Sequence, residues 1–390
     1  MQKMKTLLIS AAALLTTQLF GLSNFQSSKT CQKCHPLIYK EHLGSQHKKA
    51  SIFSDPIHKA VWDTHPLKKK ELYKCAKCHT PNNKEAMVAL KEHKKYLPQD
   101  NGASREGVSC VSCHKIESIK HNKASNTNIL TKDTKKLFSA RESEKSVKDK
   151  KFQLSRDFFG MVTKKSGSPY HDIDFSNELF YNGNVCMGCH SHKENAHKLK
   201  VCDTKPQEHP NTKETNCISC HMPQVKGSFT TMYDSKTHRY HGFSGSIHQP
   251  QILAKYVSID MQKNGAGFDI LITNKANHAL LLHPLRIGEL QVSIDRNGKK
   301  NTLKPVQFVR ILGKENHPAP PWIADKILKN TQIQAKEQRK IHFDYKLQKG
   351  DKLSVALGHY IISTKVAKKF GLDEKLTKFV LLKEEHFDVK

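Results

Sequence analysis

The sequence predicts an α+β chain in which a mainly helical and irregular N-terminal region is followed by a C-terminal antiparallel β-sandwich. Three observations predict it. Ten of the 11 cysteines sit in repeated C-x-x-C-H units, no cysteine follows Cys220, and apolar residues after position 253 alternate with a period of two. The main boundary therefore falls near residue 250. This gives an N-terminal segment 1–23, a cysteine-bearing region 24–250, a sandwich 251–362 and a helical tail 363–390.

The amino terminus reads Met1-Gln2-Lys3-Met4-Lys5, followed by an apolar stretch from Thr6 to Leu22, which is the layout of an export signal. The competing reading is an uncleaved membrane anchor, for which the stretch is short and polar. Export predicts a periplasmic location. Lys and Arg outnumber Asp and Glu by 65 to 36, a formal charge of +29. Such a surplus ordinarily points to nucleic acid or an anionic surface. Export argues against nucleic acid and leaves either a solvated basic surface or docking of acidic redox partners.

The five units are Cys31/Cys34/His35, Cys75/Cys78/His79, Cys110/Cys113/His114, Cys186/Cys189/His190 and Cys217/Cys220/His221. Two thiols three positions apart can each form a thioether with one porphyrin vinyl group, and the following His is then set beneath the iron. A zinc ribbon has no use for that His, and a dithiol redox motif occurs once per domain. The pattern predicts five covalently attached haem c groups that staple region 24–250, with the five motif histidines as proximal iron ligands. They would also fill part of the interior, which fits an apolar fraction of 37% against the about 45–50% usual for globular domains. Cys202, outside the motifs, reads as a small buried hydrophobe or as a reactive thiol near a haem.

Within the haem region the expectation is short helices and loops. Asp55-Pro56 is an N-cap and N1 pair that opens a helix through about Thr64. Residues 115–168 are dense in Lys, Ser, Asn and Thr and read as a solvated insertion without chemistry. Further on, Val257, Ile259, Met261 and Phe268, Ile270, Ile272 flank the turn Asn264-Gly265, which predicts a hairpin. More strands are expected at Leu290–Ile294 before the turn Asn297-Gly298, at Phe308–Leu312, at Ile341–Leu347 and at Leu353–Leu357. A lysine-rich helix from about Ser363 to Glu385, broken near Gly371, is expected to close the chain.

Nineteen of the 24 histidines lie outside the motifs, whereas the chain has only 8 methionines. Histidine is therefore the expected sixth ligand, and low potentials follow. His47 is too far along a helix from His35 to serve the same iron and is placed to cross to a neighbour. His171 precedes the fourth motif, His238 and His241 follow the fifth, and His278 sits at a strand end from which a loop can reach back. Less well supported candidates are His58, His65, His121, His192 and His197.

At this point the chain resembles the multihaem cytochromes of the cytochrome c-552/c-554 type. The resemblance rests on Cys31 to Tyr39 with Ser45-Gln46-His47 and Asp55-Pro56, on Glu106-Gly107-Val108 through Ile116, on Cys217 to Pro223, and on Thr273 to Arg286. It implies distal roles for His47, His171, His278 and one of His238 or His241. It also implies that the haem over His79 is the first suspect for an open coordination position. The chain departs from the family pattern at Asn277, where a Gly usually precedes the ligand His, and at His283, where a small residue is commoner.

The expected function is single-electron transfer along a chain of mostly bis-His, low-potential haems in anaerobic respiration. The partners would be redox proteins, a quinol-linked donor and a terminal reductase, with membrane contact only through an uncleaved N-terminal anchor. The alternative is an oxidoreductase acting on a small nitrogen or sulfur compound at one five-coordinate haem.

Overall fold

The computed structural model describes residues 22–205, 208–212, 214–283 and 285–390. The expected export signal lies outside the described residues apart from its last two positions. Among the described residues no helix is long and apolar enough to cross a membrane.

The first part of the chain is built from short helices. Helix α1 (Pro36–Gly44) follows directly on the first motif, and α2 (Pro56–Thr64) opens as expected, with the Asp55 side chain accepting from the Ile57 and His58 N–H groups. Helix α3 (Lys84–Lys91) is capped by Asn83. The last four motifs each form a single helical turn. Such turns are too short to hold by propagation, and in the third and fifth motifs a capping box closes them. In the fifth motif Asn216 Oδ1 accepts from Ser219 N, while Ser219 Oγ accepts from Asn216 N, each at 2.9 Å.

After residue 256 the chain is β. A three-stranded sheet runs β1 (Val257–Asn264), β2 (Gly267–Asn274) and β6 (Gln338–Phe343), with β1 and β2 joined through Gly265 at φ +56° as the Asn-Gly turn predicts. The second sheet is β4 (Lys299–Thr302), β3 (Ile287–Arg296), β7 (Lys352–Tyr360) and β8 (Phe379–Asp388), with β5 (Val306–Phe308) also paired to β3. Alternate residues of both sheets close one core that includes Phe268, Ile270, Ile272, Leu290, Val292, Ile294, Val355 and Leu357.

Two expectations are corrected. The tail is helical only in α4 (Thr364–Phe370), which ends at Gly371 with φ +60°, and in a 3-10 turn, Glu374–Thr377. Residues from Phe379 onward instead form β8 against β7. The expected strand at Phe308–Leu312 is split between β5 and a separate strand, Arg310–Lys314, which pairs with Lys326–Asn330 in a small third sheet.

The sandwich is joined to the haem region at several points. Ile57 of α2 and Leu285 both pack against the cluster of Ile361, Ile362 and Ala367. Arg310 donates to the carbonyls of Val201 at 2.7 Å and Lys200 at 2.6 Å. Asn277 donates to those of Pro210 and Thr215.

Candidate haem-binding site

None of the ten motif cysteines is in a disulfide. Their thiols meet between motifs: Cys31 with Cys110, Cys78 with Cys189, and Cys186 with Cys217. The short span from the fourth to the fifth motif does bring those two together. The third motif, in contrast, meets the first, and the second meets the fourth.

Cys34, expected to hold the first haem together with Cys31, takes no part in these contacts, nor do Cys75, Cys113 and Cys220. It is a free, half-buried thiol beside Cys31 of its own motif. What sets it apart is its local structure. The first motif is a 3-10 turn, Ser28–Lys33, and Cys34 lies just past its end as the C-cap. The Cys34 N–H donates to Cys31 O at 3.2 Å, and its carbonyl accepts from Thr231 N at 2.9 Å. A backbone tie to a segment almost two hundred residues away therefore fixes Cys34, where an α turn fixes its counterparts in the other motifs.

Four of the five motif histidines have Nδ1 fixed by a backbone carbonyl. His35 donates to Phe229 O at 2.6 Å, His79 to Ala50 O at 3.2 Å, His114 to Phe138 O at 2.7 Å and His221 to Ser244 O at 2.6 Å. A proton held on Nδ1 leaves the Nε2 lone pair free for a metal, which is the outer-shell support that ligand histidines need. The Phe138 contact corrects the reading of 115–168 as an insertion without chemistry. Lys115 is fully buried with its Nζ on Asp133 O, and Asn126 donates to Met187 O in the fourth motif. The hairpin Gln153–Arg156 with Val162–Ser166 is largely exposed, with Phe158 and Phe159 at its tip, as are residues 132–135.

The residues fit haem. With a metal–imidazole bond of about 2 Å and a ring centre about 1.1 Å inside the nitrogen, two imidazoles on one iron have centroids roughly 6.2 Å apart. Four pairs meet this spacing: His35 with His171 at 6.4 Å, His190 with His47 at 5.9 Å, His114 with His241 at 6.2 Å, and His221 with His278 at 6.2 Å. In each pair the second residue comes from far along the chain. Burial lowers His47 and His241 to about 3 and His171 to about 4, so these rings stay neutral, the form that binds iron.

Local structure explains how two of these residues are aimed. Gly107, at φ +70°, lies so close to His47 that a Cβ would stand 2.5 Å from His47 O, and Val108 N donates to that same oxygen at 3.0 Å. The Glu106-Gly107-Val108 segment thereby pins the backbone of His47. His241 is held by Glu41, whose Oε2 accepts from His241 N at 2.9 Å, while its own Nδ1 donates to Arg239 O.

His238 faces no motif histidine. Its Nδ1 bonds Gly227 O and its Nε2 bonds Glu41 Oε1, each at 2.9 Å, so both ring nitrogens are occupied. His192 is likewise engaged at both nitrogens, by Ser191 and by the carbonyls of Asn122 and Lys123. His65 lies against Trp322 with its Nδ1 accepting from Leu67 N. Cys202, expected to be buried, keeps accessible surface on strand Lys200–Asp203. Desolvation raises its thiol above the ordinary value, against the opposing charge of Arg310.

The second motif is different. The ring nearest His79 is His58, with centroids 4.1 Å apart, too close for an iron between them. Among the described residues no imidazole stands over His79 at the spacing of the other four pairs.

Repeated C-x-x-C-H units and paired imidazoles are features that multihaem c-type cytochromes share, and comparison with known proteins points the same way. Residues 30–115 match the family described as cytochrome c554 and c-prime. The whole chain is similar in fold to a penta-heme cytochrome c552 from Thermochromatium tepidum, with a TM-score of 0.68 and 21% identity over 94% of this chain and 99% of that one. A superoxide reductase in the oxidised state matches 34% of this chain and 86% of its own at a TM-score of 0.19 and 10% identity, too slight a likeness to define a shared fold. No curated protein matches the chain.

Proposed function

We propose that the chain is a periplasmic pentahaem electron-transfer cytochrome in which four haems are bis-histidine ligated, by His35/His171, His114/His241, His190/His47 and His221/His278. Each bound haem supplies a one-electron iron couple. The chain's own residues set its ligands, burial and neighbours. The observation that carries the reading is the recurrence of one centroid spacing in four histidine pairs. Thiol contacts between motifs support closely packed cofactors, and a nitrogen ligand on both faces favours low potentials. A quinol-linked donor and a terminal reductase are the proposed partners.

The solitary position of His79 favours a second reading, in which the haem it holds has an open face and the protein oxidises or reduces a small nitrogen or sulfur compound there. Electron paramagnetic resonance on the fully oxidised holoprotein separates the two. Five low-spin haems support the carrier alone. A high-spin signal that shifts with hydroxylamine, nitrite or sulfite supports the oxidoreductase.

A further inference from the structure

The most exposed large apolar side chains among the described residues sit together. Phe158 is 98% exposed, Phe159 83% and Met161 65%, and all three occupy the tip of the hairpin formed by Gln153–Arg156 and Val162–Ser166. Leu154 and Val162 add exposed apolar surface on its strands. A single exposed apolar residue is ordinary, whereas neighbouring aromatics at a tip form a patch of the kind that marks an interaction site.

The tip is a built turn. Asp157 Oδ1 accepts from Phe159 N at 3.0 Å and from Met161 N at 2.9 Å, and the Asp157 carbonyl accepts from Gly160 N at 3.0 Å. Asp157 N donates to Met161 O at 3.0 Å, and Arg156 Nη1 donates to Gly160 O at 2.7 Å. Gly160 supplies the φ of +79° that the turn requires. Asp157, Phe159, Gly160 and Met161 thus have their N–H groups bonded within the turn, while the Phe158 and Phe159 rings, edge to face at 5.7 Å, stay outside. Internally paired backbone donors can enter an apolar medium without an unmet hydrogen bond. A bilayer sets that condition, and water does not.

Charge identifies the surface of that medium. Lys151, Arg156, Lys164 and Lys165 are exposed behind the tip. The two acidic residues of the segment 148–165 are engaged, Asp149 by Lys136 at 2.9 Å and Asp157 by the turn. Across the hairpin Lys165 pairs with Leu154 and Lys164 with Ser155, which puts the two lysines on opposite faces. Cations on both faces behind an apolar tip suit a layer of anionic headgroups entered end-on, whereas an acidic patch on a protein would meet one face.

We infer that residues 153–166 form a membrane-surface anchor, in which Phe158, Phe159 and Met161 enter an anionic phospholipid bilayer while Lys151, Arg156, Lys164 and Lys165 meet its headgroups. The anchor acts independently of the N-terminal segment. Only a short loop separates Ser166 from His171, so the anchor is tied in the chain to the histidine that faces His35.

The test is co-sedimentation of the purified holoprotein at low salt with vesicles of phosphatidylglycerol and phosphatidylcholine, or of phosphatidylcholine alone, read by Soret absorbance of the pellet. The variants are F158S/F159S and K164Q/K165Q with the N-terminus unchanged, and haem content and low-spin signals verify their folding. The expected result is wild-type binding to the anionic vesicles, at least about tenfold weaker binding to the neutral ones, and at least about a tenfold loss of anionic binding in each variant. Undiminished binding of F158S/F159S overturns insertion and leaves only a basic surface. Undiminished binding of K164Q/K165Q, or equal wild-type binding to neutral vesicles, overturns the anionic headgroup as partner. Absence of wild-type binding overturns the anchor outright. A dimer in sedimentation velocity that F158S/F159S abolishes assigns the tip to a second copy of the chain and overturns the anchor as well.

Discussion

His58 and His79 donate from Nδ1 to the same oxygen, the carbonyl of Ala50, at 2.8 and 3.2 Å. One carbonyl has two lone pairs, so both bonds are satisfied, and both rings are held on one side of the site. His58 Nε2 is buried without a partner. The arrangement makes His58 a brace for the proximal ligand.

His58→Ala is therefore expected to leave the spin state of every haem unchanged while loosening His79. Electron paramagnetic resonance of the oxidised variant checks this. A new high-spin species would instead make His58 an iron ligand.

His238 and His241 give opposite expectations although three residues apart. His241→Ala should convert one low-spin haem to high spin, because His241 faces His114 at 6.2 Å. His238→Ala should keep the spectrum low-spin and destabilise the holoprotein by about 1–3 kcal/mol, because it removes a partner from the largely buried Glu41. Chemical denaturation monitored at the Soret band measures the second effect.

In the sandwich, Arg296 bonds both carboxylate oxygens of Asp351, at 2.7 and 2.8 Å, and the Gln348 N–H adds a third bond. The Arg296 hydrogen bonds hold the Asp351 carboxyl below its ordinary pKa. A depressed folded-state value means that the stabilisation is fully present above the unfolded pKa of about 3.9 and is lost as pH falls through the folded value. Asp351→Asn should lower the denaturation midpoint at pH 7. The gap to wild type should close only below about pH 4, and a gap constant down to pH 2 would exclude the linkage.

Phe268 is fully buried and lies at 5.2 Å from Phe343 across the β2–β6 pair. Phe268→Ala should cost about 3–5 kcal/mol. Because β2 leads into His278, partial loss of the low-spin signal from the haem on His221 should accompany the unfolding transition.

What could be read from the sequence was local. The C-x-x-C-H units, the Asp55 cap and the Asn264-Gly265 hairpin each depend on residues within a few positions of one another. The partners of the motif histidines do not: His47 reaches His190 and His278 reaches His221 by tertiary approach, and although their positions marked both as able to cross to another haem, the sequence did not say to which one. The tie between Cys34 and Thr231 is of the same long-range kind, and the motif spacing carries no sign of it. The polarity of 115–168 concealed its role because Asn126 and the Phe138 carbonyl act through hydrogen bonds to buried groups, which composition does not distinguish from hydration. Strand β8 was hidden for a different reason. Its register shifts between Leu381 and Lys383, so Leu382 and Phe387 both pack on the core although they are an odd number of residues apart. The bulge erases the period-two signal, and the lysines then read as a helix.

The thiol contacts also describe a wiring diagram. Among the described residues the fourth motif touches two others, through Cys186 and Cys189, while the second touches only the fourth, through Cys78. In network terms the second motif is a leaf attached to a hub. On the electron-transfer reading proposed above, charge that enters the second motif would leave by the same edge, as it would from the fifth. Such a position is poorly suited to a relay and well suited to a terminus, where electrons are stored or delivered.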